Sequence, residues 1–171
     1  MLHFAPEAEI SERLSRIPRL TYITTDLNAK VMMRADIAYI PLPDNSMDVI
    51  YCSHVFNMLP DDLIPMKEIH RVLKTKGWAL LQVPIRQAPT LEAPKSSTSS
   101  ERLNMFGYPD MYRIYGPDFK ARLEHVGFDV ELDGLFESLS EKEKVCLGFT
   151  DEKLFVCRER RTIKSLAEGG D

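Results

Sequence analysis

Residues 34–84 read RADIAYIPLPDNSMDVIYCSHVFNMLPDDLIPMKEIHRVLKTKGWALLQVP, and their patterning decides the fold class. Two short apolar runs, 47–52 (MDVIYC) and 78–83 (WALLQV), have the length and composition of buried strands. Between them Leu63, Met66, Ile69, Val72 and Leu73 recur close to the 3.6-residue period of one helix face. Asp61 and Asp62 stand where the helix dipole favours negative charge, and Pro65 fits only within the first turn. Lys74 and Lys76 lie at the other end, and Gly77 is the expected stop. Strand, helix and strand at this length predict a right-handed βαβ unit, its strands parallel neighbours in a covered sheet.

Upstream, residues 2–5 (LHFA) read as a first strand ended by Pro6-Glu7. A helix over 9–17 follows, with Ile10, Leu14 and Ile17 on one face, then a strand over 20–24 with Asp26 just past its end. Residues 31–34 read as a short third strand. The link from Asp26 to Val31 is too short for a crossover helix, so either that helix is missing or the strand is an irregular edge. Downstream, the Pro-, Ser- and Thr-rich stretch 86–100 reads as a mobile loop or lid. The aromatic-rich 101–115 is expected to pack back over the carboxyl edge of the sheet. A helix over 117–126 (Phe119, Leu123, Val126), a strand over 128–132, a polar connection over 136–150 and a last strand over 153–158 complete the chain.

A chain of 171 residues, 44% hydrophobic, buries one ordinary core. The expected organisation is one domain over 1–160, with 86–116 as an acceptor-side insertion and 161–171 as a polar tail. A net charge of -4 argues against a general nucleic-acid binder. Cys52, Cys146 and Cys157 are odd in number and lack CxxC spacing, which disfavours a disulfide framework or a zinc ribbon, and no His/Cys/carboxylate cluster has metal spacing. No apolar run is long enough to span a bilayer, so no membrane partner is expected. Met1 leads straight into a strand with no signal peptide, and the cytoplasm is the expected location.

The block resembles the class I S-adenosylmethionine-dependent methyltransferases, the Rossmann-like set of methyltransferase type 11. The matching pieces are Ala35-Asp36-Ile37, Leu42-Pro43-Asp44, Met47-Asp48-Val49-Ile50, Cys52-Ser53-His54-Val55, and Arg71-Val72-Leu73-Lys74-Thr75-Lys76-Gly77-Trp78. The resemblance implies an α/β fold, mostly parallel, with an antiparallel last strand and flanking helices. It implies S-adenosylmethionine as cofactor and an acceptor, small-molecule in our reading, methylated by in-line displacement.

In such sheets ligands bind beyond the carboxyl ends of the strands. The first turn, His3-Phe4-Ala5-Pro6-Glu7, stands where the family carries glycines. A dinucleotide site needs those glycines for backbone approach to a pyrophosphate, and Glu7 would oppose that anion. A methionyl group carries an ammonium and a sulfonium, which a carboxylate tolerates. Phe4, Ala5, Pro6 and Glu7 are therefore read as cofactor-binding, with Glu7 alternatively a helix opener. Asp26 suits ribose hydroxyls, or a turn with Asn28. By resemblance Asp36 and Ile37 take the adenine, unless Asp36 caps 37–40.

By the same resemblance Ser53 and His54 lie beneath the sulfonium. His54 is the candidate general base, although proximity alone suffices for methyl transfer and a structural histidine is the alternative. Asn57-Met58 replaces a Glu-His pair common in relatives, and Asn57 is read as substrate-side. Arg113 is read as a grip for an anionic acceptor and Tyr112 or Tyr115 as a stacking surface, with packing of an aromatic flap against the sheet the alternative for at least one tyrosine. The chain begins at the first strand, where family members carry a preceding helix, and a homodimer or another subunit completing the site is one expectation. A non-catalytic binding protein of the same fold is the alternative function, and a nucleotide-dependent oxidoreductase the third.

Overall fold

In the computed structural model, residues 1–27, 30–134, 138–147 and 153–160 are described. The βαβ unit forms as expected from its pattern. Strand β4 (Met47–Ser53) runs through a 3-10 turn (Phe56–Met58) into helix α2 (Leu63–Val72), which returns to β5 (Leu73–Gln82). Pro65, Met66, Ile69 and Val72 are the buried face of α2. The two strands are parallel, with Ile50 opposite Ala79 and Cys52 opposite Leu81.

Gly77 is not the helix stop. The helix ends at Val72, and Leu73 is already extended (φ -74, ψ 133). Between the pairs Met47–Leu73 and Val49–Trp78, two steps on β4 face five on β5, a bulge. A Cβ on Gly77 would lie 2.8 Å from the Asp48 carbonyl oxygen, so close approach in the bulge explains the glycine. The acidic pair also divides. Asp61 Oδ1 accepts from the Leu63 and Ile64 amides, whereas Asp62 is buried and faces another part of the chain.

Around this unit, β1 (Leu2–Phe4), β2 (Ile23–Asp26) and β3 (Met33–Arg34) extend one side, and β8 (Phe128–Leu132) and β9 (Leu154–Glu159) the other. The seven-stranded order is β3-β2-β1-β4-β5-β9-β8. Every pair from β3 to β5 is parallel, and β9 inserts antiparallel between β5 and β8. Strand β2 is shifted by about two residues from its expected place, so Asp26 is its last residue. β3 is a two-residue edge, and no helix lies between it and β2 among the described residues.

The helices differ in burial. α4 (Phe119–His125) buries Phe119 and Leu123, but α1 (Ala8–Ser15) buries no residue, and Ile17 is exposed. The expected polar connection contains a helix, α5 (Glu141–Leu147). Residues 135–137 and 148–152, and the expected tail over 161–171, lie outside the described residues.

The stretch expected to be a mobile loop, 86–100, holds one short strand and leads into a helix. β6 (Leu91–Glu92) pairs antiparallel with β7 (Arg113–Ile114), and α3 (Ser99–Phe106) sits between them. Thr98 and Glu101 form a reciprocal capping box, which starts α3. The Arg86 amide donates to the Tyr115 carbonyl (2.8 Å), which ties the base of the extension shut.

Candidate functional site

Chain order along the sheet reverses at β1, whose neighbours are β2 on one side and β4 on the other. A crevice forms beyond the carboxyl ends of strands at such a point. A cleft of about 120 Å³ lies there. Its walls are Phe4 and Ala5 at the end of β1, Thr25, Asp26 and Leu27 at the end of β2, Ala35, Asp36 and Ile37 after β3, and Val55 and Leu59 after β4. The volume is below the roughly 300–1,000 Å³ of whole small-molecule pockets, room for no more than one end of a ligand.

Five of the eight residues expected to bind a cofactor line this cleft: Phe4, Ala5, Asp26, Asp36 and Ile37. Asp36 is exposed, and its Oδ1 accepts from the Ala38 amide (2.8 Å), so the turn that could have been its only task also aims it. Pro6, Glu7 and Ser53 are not among the lining residues. Ser53 is buried beneath the strand ends. Glu7 opens α1 without a side-chain cap and places Oε2 2.8 Å from Nε2 of the buried His3.

The backbone is strained on both sides of the reversal. Ala5 has φ 47 and His54 has φ 56, each just past the end of its strand. Neither is glycine, and non-glycine residues in this region are uncommon and concentrate at functional sites. The turn after β1 thus adopts a left-handed residue without glycine. Its amide bond to the Thr25 carbonyl (2.9 Å) holds it there. His54 is exposed, and its amide donates to the Gln82 carbonyl (2.9 Å), which places it on the β5 side of the cleft.

Sequence reasoning missed Thr25, which is fully buried in the cleft wall with no hydrogen-bond partner for Oγ1. Leaving such a group unpaired costs about 1–3 kcal/mol. The alternation of ITTD along β2 was the available signal, since a threonine inside a strand-like run points to one face. Cys52 lies buried nearby on β4. Burial first, and then the Glu7 charge, push its thiol upward, so it is not a nucleophile.

The acceptor-side expectations are corrected. Arg113 is buried, and its guanidinium donates to the carbonyls of Phe56, Leu59 and Pro60 and to the Glu92 carboxylate. It fastens the extension to the 3-10 turn and has no exposed face for an anionic acceptor. Tyr115 is fully buried, and its hydroxyl donates to Asp62 Oδ2 (2.8 Å). Burial pushes that phenol well above its ordinary value, followed by the Asp62 charge. Asn57 is buried too. Its carbonyl accepts from the Tyr112 amide (2.8 Å), while its Oδ1 has no partner. The packing alternative holds for Tyr115.

Residues 8–81 match the family described as "Methyltransferase domain", Methyltransf_11. That stretch is similar to the methyltransferase domain of the type 11 family. No curated protein sequence matches the chain. Solved structures share the fold at low identity. A SAM-dependent methyltransferase from Archaeoglobus fulgidus is 15% identical over 92% of this chain and 85% of its own, with a TM-score of 0.62. A chain from the Haloferax volcanii complex between the Trm112 methyltransferase activator and its methyltransferase is 14% identical over 94% and 82%, with a TM-score of 0.60. The [4+2]-cyclase SpnF is 12% identical over 94% and 75%, with a TM-score of 0.65. These likenesses show the Rossmann-like methyltransferase fold, and the cyclase shows that the fold does not dictate the reaction.

The groups that line the cleft fit the nucleoside end of S-adenosylmethionine. Asp26 and Asp36 are carboxylate acceptors for hydroxyl or amino groups, Thr25 Oγ1 is an orphaned hydroxyl, and Phe4, Ile37, Val55 and Leu59 are apolar surface for a ring. No lysine or arginine lines it, so a pyrophosphate would meet two carboxylates and no cation. Among the described residues no cluster has the makings of a metal site, and no helix is long and apolar enough to cross a membrane.

Proposed function

We propose that the protein binds S-adenosylmethionine at the β1–β2–β3–β4 edge and methylates a small-molecule acceptor. The observation that carries this reading is the cleft at the chain reversal, with two carboxylates, an orphaned threonine hydroxyl and no cation. Asp26 takes the ribose hydroxyls, Asp36 the adenine amino group, and Ile37 one ring face. Bound there, the cofactor supplies a methyl group on a sulfonium, a leaving group that needs no protonation. The chain contributes position and exclusion of water. We assign to His54, exposed just past β4, the role of taking a proton from an acceptor where one is needed.

A second reading, a donor-binding or interaction protein without turnover, is favoured by the glycine-free first turn and by Asn57-Met58, which places no titratable group at that position. Titration calorimetry with S-adenosylmethionine and S-adenosylhomocysteine tests the first step. Micromolar binding, about -8 kcal/mol, weakened at least tenfold by Asp26→Ala and by Asp36→Ala, is expected. A folded protein with no detectable affinity overturns the donor site. Binding without formation of S-adenosylhomocysteine across an acceptor screen moves the second reading to first place.

A further inference from the structure

His3 is fully buried, yet both ring nitrogens meet side chains of the segment that builds the cleft's first turn or its support. Nε2 lies 2.8 Å from Glu7 Oε2, and Nδ1 lies 2.6 Å from the Tyr22 hydroxyl, itself 3.0 Å from Ser11 Oγ of α1. The ring packs between Tyr22 and Tyr51, with centroids 6.0 and 4.7 Å away. Glu7, Tyr22 and Tyr51 are the titratable groups that face it, from the head of α1, the approach to β2 and β4.

Two facts give this contact leverage. Helix α1 buries no residue, so apolar packing holds it weakly and these hydrogen bonds supply much of its attachment to the sheet. Ala5, two residues after His3 and two before Glu7, is held at φ 47 in the cleft wall. A strained turn persists only while its surroundings over-determine it, and the i,i+4 contact from His3 to Glu7 spans this one.

We propose that His3 is a positioning residue: its neutral ring latches Glu7, Tyr22 and α1 over the Ala5 turn, and proton uptake by the ring releases the latch and weakens ligand binding in the cleft. The direction follows from burial, which lowers the His3 pKa below its ordinary value against the opposing pull of Glu7. A carboxylate only accepts, so the neutral ring carries its proton on Nε2 toward Glu7. A charged ring in this buried place is disfavoured, and the affinity therefore falls as the solution is acidified.

The binding arm rests on the donor-site reading, and a ligand-free arm does not. Hydrogen exchange at the Ala5 amide, corrected for the intrinsic pH dependence, is compared between pH 8 and pH 5.5 with that of the Ile50 amide. The wild type is expected to lose at least tenfold protection at Ala5 relative to Ile50. His3→Gln keeps an N–H for Glu7 and cannot titrate, so the loss disappears in it. S-adenosylhomocysteine affinity is expected to follow the same profile, about tenfold weaker at pH 5.5 in the wild type and under threefold in His3→Gln. His3→Leu, without either bond, is expected to exchange fast at Ala5 at both pH values. Ala5 and Ile50 changing in parallel, or the same profile in His3→Gln, overturns the latch. A pH-sensitive Ala5 in a protein that binds no S-adenosylhomocysteine at any pH leaves the latch standing and refutes the donor site instead.

Discussion

Helices α1 and α2 follow neighbouring parallel strands, yet they are attached in opposite ways. α2 buries Pro65, Met66, Ile69 and Val72, and at its head Asp62 joins Arg113, Tyr115 and Arg122 in a buried cluster, with Arg122 Nη1 3.0 Å from Asp62. α1 buries nothing, and hydrogen bonds through His3 and Tyr22 attach it. Ala5, the orphaned Thr25 and most of the cleft wall lie on the α1 side, while strained His54, Val55 and Leu59 close the cleft from beyond β4. The difference separates a half that stores stability from a half that is left adjustable, as sites that must receive a ligand are drawn from the less stable parts of a fold.

The largest break in this comparison comes from Arg113→Met. It keeps some bulk but takes the guanidinium from three carbonyls and leaves Glu92 and Asp62 to Arg122 and Tyr115, and it should cost about 3–5 kcal/mol in urea unfolding. A loss below about 1 kcal/mol would mean the cluster does not hold the extension. Next is a matched pair of truncations. Ile69→Ala on α2 should cost about 2–5 kcal/mol, and Leu14→Ala on the half-buried face of α1 under about 1 kcal/mol. Equal losses would erase the distinction between the helices.

The α1 side should also respond to pH where the α2 side does not. The folded-state value of His3 lies below the unfolded value of about 6.5, so the unfolded chain takes up the proton first. The contribution is complete above the unfolded value and is lost as pH falls toward the folded one. The urea midpoint should therefore drop between pH 8 and pH 5.5, and less so in His3→Gln. The smallest effect is expected from Ala5→Gly. Relief of a left-handed alanine offsets the added freedom of the unfolded glycine, so stability should stay within about 1 kcal/mol of wild type and not fall below it. A clear loss would mean that the alanine methyl, rather than the turn, is what the cleft needs.

Legibility in the sequence follows the range of the interactions. The β4–α2–β5 unit was readable because apolar period and length are local signals, whereas the antiparallel last strand followed from the family resemblance. Asp26 followed from the placing of a strand end, and Asp36 and Ile37 from the family resemblance; all three line the cleft. Two helices were missed although each carries its own start signal. Thr98-x-x-Glu101 and Ser140-x-x-Glu143 are both capping boxes, in which each carboxylate bonds back to the first residue. Their polar composition hid them. The role of Arg113 was not readable at all, since its carbonyl partners lie 53 to 57 residues away in sequence. Nothing local distinguishes an arginine that grips a ligand from one that fastens a turn.

The central claim is that ligand binding belongs to the α1 side of the sheet. Hydrogen-exchange mass spectrometry with and without saturating S-adenosylhomocysteine tests it most directly. The expected result is protection confined to residues 4–7, 25–27, 35–37 and 53–59, with the 86–116 extension unchanged. Protection centred on the extension, or none anywhere in a folded protein, would contradict the account.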